Sequence, residues 1–247
     1  LLATVLVVQL PLMIVFPIVL GFTLRRRLQV PMSVWLIGAL AFVVSQMVHL
    51  PLNFALGLLG PPRGVALLPR PVIGVVAGLS AGVCEESARW LALRFLLKDR
   101  RSWKDGLQFG AGHGGIEAIL FGGLVLIGLV NVLLAPYAAA LGLNADDQAA
   151  LRHAARQYWA TPALHAFLGG YERLCAMAFH VGASVIVLRG VVRGKIGYLF
   201  AAILLHAALN FPIVYLNEIG TGPFYVLLTL FGAGMLAIAW RLSDHGR

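Results

Sequence analysis

The sequence predicts an all-α protein, a polytopic bundle of about seven transmembrane helices, with the N-terminus outside and the C-terminus in the cytoplasm. Three observations carry this. Hydrophobic residues make up 60% of the 247 positions and charged residues only 12%, too few to clothe a soluble globule of this size. Runs of about 20 or more apolar residues, long enough to cross a bilayer, recur along the chain. Basic residues gather at alternate ends of those runs, as cytoplasmic loops require.

Taken in order, the predicted spans cover roughly 1–24, 32–59, 71–97, 106–134, 166–188, 195–217 and 222–240. The first is too long and too apolar for an ordinary cleaved signal peptide, and Pro11 and Pro17 predict a bend in it. Since the chain starts Leu-Leu without a methionine, a short upstream piece is expected. The second and fourth spans are long enough to tilt, kink or extend past the membrane. The fourth and fifth are separated by the one sizeable loop, 135–165, whose stretch from about Asp146 to Trp159 predicts an interfacial helix with Trp159 at headgroup level.

Charge orders these spans across the membrane. Arg25, Arg26 and Arg27 follow the first, and Arg94, Lys98, Arg100, Arg101 and Lys104 follow the third. Arg189, Arg193 and Lys195 follow the fifth, and Arg241 and Arg247 the seventh, which accounts for 13 of the 19 basic residues. The opposite ends hold only Arg63, Arg70, Arg152 and Arg156, so the chain ends in the cytoplasm. With its basic residues in such clusters, the net charge of +9 does not point to nucleic acid. Cys84 and Cys175 fall within spans and read as small apolar packers rather than a disulfide. No soluble domain and no internal repeat is visible. The expectation is one integral membrane domain over 1–247 in a bacterial plasma membrane, with a motif-bearing core at 71–217.

An ionised carboxylate inside a bilayer costs at least a few kcal/mol. The third span nevertheless holds Glu85 and Glu86 side by side. Arg89 follows at helical spacing from both, and can pair with either. One acid held as an anion beside a second, crowded one is a common basis for acid–base chemistry; a structural ion pair is the competing reading. In the fourth span, His113 and Glu117 share a helix face among Gly110, Gly112, Gly114 and Gly115. These glycines allow close helix packing, and Gly112 and Gly114 would also leave room for a substrate backbone beside the histidine. His180 lies in the fifth span, and His206 and Asn210 share a face of the sixth.

Depth tests whether these side chains can meet. At about 1.5 Å per residue from the basic ends, Glu86 is roughly 12 Å in, His113 about 10 Å, His180 about 14 Å, and Glu117 and His206 about 16 Å. They form one layer nearer the cytoplasmic side, which suggests access for a membrane-associated peptide or lipidated tail from that half. Glu172 and Arg173, about 25 Å from the same face, read as an ion pair near the outer surface. His49, His153, His165 and His245 fall outside the layer or in loops.

The motifs also carry a resemblance. Glu85-Glu-Ser-Ala-Arg89 resembles the EExxR signature of the CAAX-prenyl endopeptidase and bacteriocin-processing superfamily of intramembrane proteases. Phe109-Gly-Ala-Gly-His113 is similar to its FxxxH motif and His206-Ala-Ala-Leu-Asn210 to its HxxxN motif. Gly112-His-Gly-Gly-Ile-Glu117, with Glu172-Arg173 and His180, resembles the YhfC-type membrane peptidases within that group. The resemblance spans about 81–211 and implies peptide hydrolysis by a glutamate-activated water. Glu85 or Glu86 would be the base, His113 would assist, and His206 and Asn210 would hold the oxyanion, with Arg89 in support. Glu117 is an acid beyond the superfamily pattern.

A metal-assisted route stays open beside the metal-free one. There is no HExxH helix, but His113, His180 and His206 could converge on a divalent ion such as zinc, with a carboxylate activating its water. Two other classes use the same residues: a proton- or ion-coupled transporter, whose relays are built from buried Glu and His, and a scaffold locked by ion pairs. The partners expected are the lipid bilayer and a membrane-associated peptide or protein substrate.

Overall fold

The computed structural model describes residues 1–243; Arg247 and His245, which entered the reading above, lie outside the described residues. Seven helices are long and apolar enough to cross a membrane: α1 (Leu2–Leu28), α2 (Met32–Leu56), α3 (Arg70–Leu96), α4 (Trp103–Tyr137), α6 (Ala163–Arg193), α7 (Gly197–Tyr215) and α8 (Thr221–Arg241). Between α4 and α6 lies α5 (Ala145–Ala160), a helix where the long loop was expected to hold one. No strand occurs among the described residues.

Local chemistry sets the boundaries. Ser102 caps α4: its Oγ accepts from the Asp105 backbone N–H at 3.2 Å, and the Asp105 carboxylate accepts from the Ser102 N–H at 2.9 Å. Asn144 caps α5 by accepting from the Asp147 N–H at 2.8 Å. Helix α2 stops at Gly57 and α6 at Gly194, each in the left-handed conformation that glycine adopts without steric cost. In α1 the prolines leave carbonyls without their usual donors, and the helix widens into π turns over Val5–Gln9 and Pro11–Val15.

Helix α6 is the axis of the bundle. Its apolar window is 78% buried, against at most 39% in any other span. Helices α4 and α8 pack along it, α2 packs on α4 and α3, and α3 packs on α7. Because lipid is as apolar as the helices, close van der Waals contact rather than hydrophobic burial holds such a bundle together. Gly112 of α4 makes this possible against α2, since a Cβ there would strike the Trp35 carbonyl. The outward faces carry Val7, Met47 and Leu124, all more than 60% exposed, as a lipid-facing surface requires. The protein is an integral membrane protein.

The largest buried cluster lies at the end where the basic segments emerge. Val30 just before α2 and Val34 within it, Leu93 of α3 and Leu97 just past it, and Val187, Leu188 and Val191 of α6 fill it. Toward the opposite end the helices enclose a cavity of about 520 Å³.

Candidate active site

The floor of that cavity is where the polar residues of four spans meet. Glu85 and Glu86 leave α3 in different directions, as neighbours about 100° apart on a helix must. Glu86 is fully buried and paired with Arg89, also fully buried, with Nε 2.8 Å from Oε2 and Nη2 donating to Oε1 at 3.2 Å. The ambiguity in the sequence is thereby resolved: Arg89 belongs to Glu86. Its remaining N–H groups donate to the His180 carbonyl at 2.9 Å, to Ser184 Oγ, and to His180 Nδ1 at 2.9 Å. A buried guanidinium with this many partners ties α3 to α6.

Glu85 turns instead into the cavity. Its Oε2 lies 3.3 Å from His113 Nε2 and 4.0 Å from His206 Nε2, and its Oε1 accepts from Gln46 Nε2 at 3.2 Å. His113 is fully buried, set edge-on to Phe42 and stacked on Phe109, and its Nδ1 has no partner. His206 Nδ1 is 2.9 Å from Glu86 Oε1. Glu86 already serves Arg89 as an anion, so His206 is the donor, and its Nε2 is left facing Glu85.

The tautomer of His180 is also fixed by its neighbours. Arginine can only donate, so Nδ1 must accept from Arg89 and the neutral ring keeps its proton on Nε2. That N–H points at Glu117 Oε2, 2.8 Å away. Glu117 Oε1 accepts from Arg173 Nη1 at 2.8 Å, and Arg173 also pairs with Glu172. The Glu172–Arg173 pair expected at the outer surface therefore exists but lines the cavity, and Arg173 reaches from it to Glu117. A chain of charge-assisted contacts links Glu86, Arg89, His180, Glu117, Arg173 and Glu172.

The structure departs from the sequence reading in four further places. Gly112 and Gly114 do not leave space beside His113: α2 occupies one side, and Met177 and His180 of α6 the other. Helix packing claims both. Proximity does not gather His113, His180 and His206 as one ligand set; the three residues whose ligand atoms lie within 4.8 Å of one another are Glu85, His113 and His180. The cavity runs away from the basic end, whereas access was expected from that half. His49, set aside as outside the layer, is a wall residue.

His49 belongs to an arm that motif reading missed. Asn53 Nδ2 donates to His49 Nε2 at 2.8 Å, which leaves the ring proton on Nδ1 to be donated to Gln46 Oε1 at 3.2 Å. Gln46 then donates to Glu85, and Ser80 of α3 donates to Asn53 Oδ1 at 2.8 Å. Gln46, His49 and Asn53 stand three and four residues apart, one polar stripe on an apolar helix, and that spacing is the signal that could have found them. Asn210 lines the same cavity one turn beyond His206 on α7.

The carboxylate and imidazoles around the floor are the donor types of a catalytic zinc site. In the arrangement seen, His206 is the best-prepared nitrogen ligand, because a carboxylate holds its other nitrogen as donor and leaves Nε2 unprotonated. His180 offers no free lone pair while Arg89 and Glu117 hold it. His113 can turn a nitrogen toward Glu85 but has no acceptor behind it.

Comparison with known proteins agrees with this architecture. Residues 12–231 match the model of the family described as YhfC intramembrane metalloprotease. The chain is 36% identical over 202 residues to a Bacillus subtilis (strain 168) protein described as uncharacterized membrane protein YhfC, covering 80% of this chain and 78% of that one. No solved structure matches it. The chain belongs to the YhfC family.

Proposed function

With that family as premise, we propose that this protein is an intramembrane endopeptidase in which Glu85 takes the proton from the water that attacks the scissile carbonyl. One observation carries the reading: of two adjacent carboxylates, Glu86 is consumed by a buried ion pair while Glu85 faces a cavity among three imidazoles. A carboxylate in that position is suited to general-base work, and a tethered carboxylate beside it is not. Asn210, whose side-chain amide makes none of the side-chain hydrogen bonds seen among the described residues, is the amide available to the developing oxyanion, next to His206. The His180–Glu117 pair carries a proton at the cavity wall, positioned for the leaving amine. Gln46 holds Glu85 by Oε1, and Oε2, beside His113, is the oxygen that would take the proton from the water.

The residues also fit the metal in the family's name. His113 and His206 would hold a divalent ion beside Glu85; bound there, it would acidify a water and polarise the substrate carbonyl. The inferred placement of protons favours His206 over His180 as a ligand and supports His180 as a partner of Glu117. The test is purified protein reconstituted in lipid, assayed on membrane-embedded peptides, with bound zinc measured in parallel. Wild-type protein cleaves, Glu85→Gln does not, His206→Ala loses zinc, and His180→Ala retains it. Unchanged cleavage by Glu85→Gln would end the reading. Zinc lost with His180→Ala and kept with His206→Ala would reassign the ligands to the residues nearest one another.

A further inference from the structure

The side from which a substrate arrives can be read from the shape of the cavity and the distribution of charge. At its floor stand Phe42, Glu85, His180 and His206. Its wall continues through Asn53 on α2, eleven residues and about 16 Å farther along, to Leu59, Ile213, Val214 and Phe224. All of these later residues lie toward segments 57–69 and 216–220, beside which Arg70 and Glu218 form an ion pair. Beyond the floor, in the other direction, Leu93, Phe109 and Val187 are fully buried and fill the interior of the bundle. The closed end is the one that carries Arg25, Arg26, Arg27, Arg94, Lys98, Arg100, Arg101, Arg189, Arg193 and Lys195. Basic residues mark the cytoplasmic side.

We infer that the cavity opens at the end formed by segments 57–69 and 216–220, that this end is extracytoplasmic, and that it receives an extended peptide segment with apolar side chains. The walls identify the occupant. Along α2 run Gln46, His49 and Asn53, groups able to bond a peptide backbone; across from them stand Leu209, Ile213, Val214, Phe224 and Leu228. A lipid chain has no use for the first wall, and a free polar metabolite has none for the second. About 520 Å³ falls within the range of pockets that enclose small ligands, room for a few residues of peptide. The nature of the occupant rests on the peptidase reading above, whereas the opening does not.

The test is thiol labelling of the full chain in sealed membrane vesicles, with Cys84→Ala and Cys175→Ala as background. Leu59→Cys reports the open end and Lys98→Cys the basic end. A small membrane-impermeant methanethiosulfonate, added from either side, is then applied to Asn53→Cys and Ala81→Cys, the latter on the wall one turn above Glu85. Both should react from the side that labels Leu59→Cys, in vesicles whose external face is extracytoplasmic, and neither from the side that labels Lys98→Cys. Reaction from the Lys98 side, or no reaction at Ala81→Cys in a variant that inserts normally, would overturn the inference; if Ala81→Cys does not insert, Asn53→Cys and Ile213→Cys decide it in the same way. A bulky adduct at Asn53→Cys should abolish peptide cleavage. Cleavage that survives the adduct would overturn the assigned route, whereas absence of cleavage in unlabelled wild-type protein would sink the peptidase reading and leave the labelling result intact.

Discussion

The same four helices behave differently in the two halves of this bundle. In the half bearing the basic segments, α2, α3, α4 and α6 close on one another: Gly112 sits on the Trp35 backbone and a continuous cluster from Val34 to Val191 fills the interior. In the other half those helices, with α7 and α8, stand apart around a cavity whose walls carry Gln46, His49, Asn53, Glu117, Arg173 and Asn210. The boundary between the halves falls between two consecutive residues. Glu86 belongs to the closed half, where a carboxylate survives only by being paired, and Glu85 to the open one, where it can meet water. Buried charge thus has two uses here, to fix helices in register and to do chemistry, and solvent access separates them.

The contrast can be broken by experiment. The largest effect is expected at Glu85. Replacing it with Gln should lower peptide cleavage by about 10²–10⁴-fold, the range for loss of a general base, while the melting temperature in detergent stays near that of wild type. Arg89→Met should do the reverse. It leaves Glu86 buried without a counter-ion, a loss of about 3–5 kcal/mol that thermal unfolding and yield of inserted protein would register before any activity assay. Arg89→Lys should rescue little, because an ammonium cannot bond Glu86, Ser184 and His180 together. If Glu85→Gln unfolds the protein, or Arg89→Met leaves stability intact, the division of labour between the carboxylates is wrong. Gly112→Val drives two methyl groups into α2 and should cost about 1–3 kcal/mol of stability, with activity falling only as the closed half loosens. Smallest is Gln46→Ala. It removes one hydrogen bond from a carboxylate that keeps its other neighbours. Roughly a tenfold fall in the rate of cleavage, with substrate affinity and thermal stability little changed, would mark Gln46 as positioning Glu85.

Much of the fold was legible because hydropathy and helix length are properties of the chain itself. The seven spans follow from runs of apolar residues, and a helix was expected in the long loop from about Asp146 to Trp159. The site was legible in part. Rise per residue put Glu86, His113, Glu117, His180 and His206 at one depth, and hydrogen bonds do join them to their neighbours in one layer. Depth along an axis says nothing of rotation about it. His49, Gln46 and Asn53 were passed over because they lie farther along α2, whose direction into the cavity depends on how α2 rotates against α3 and α4. Arg173 was assigned to the surface because its distance from the membrane face was known while the reach of its side chain to Glu117 was not.

By itself the sequence determined that this chain is a membrane bundle, which residues are too costly to bury idly, and how its charge divides between the two ends. Those follow from transfer free energies and from periodicity, which are local. Only the tertiary structure decided which glutamate Arg89 holds, which imidazole nitrogens carry protons, and toward which end the cavity opens. Each of these depends on partners from different helices meeting at hydrogen-bonding distance. Spacing within one helix constrains such meetings without fixing them.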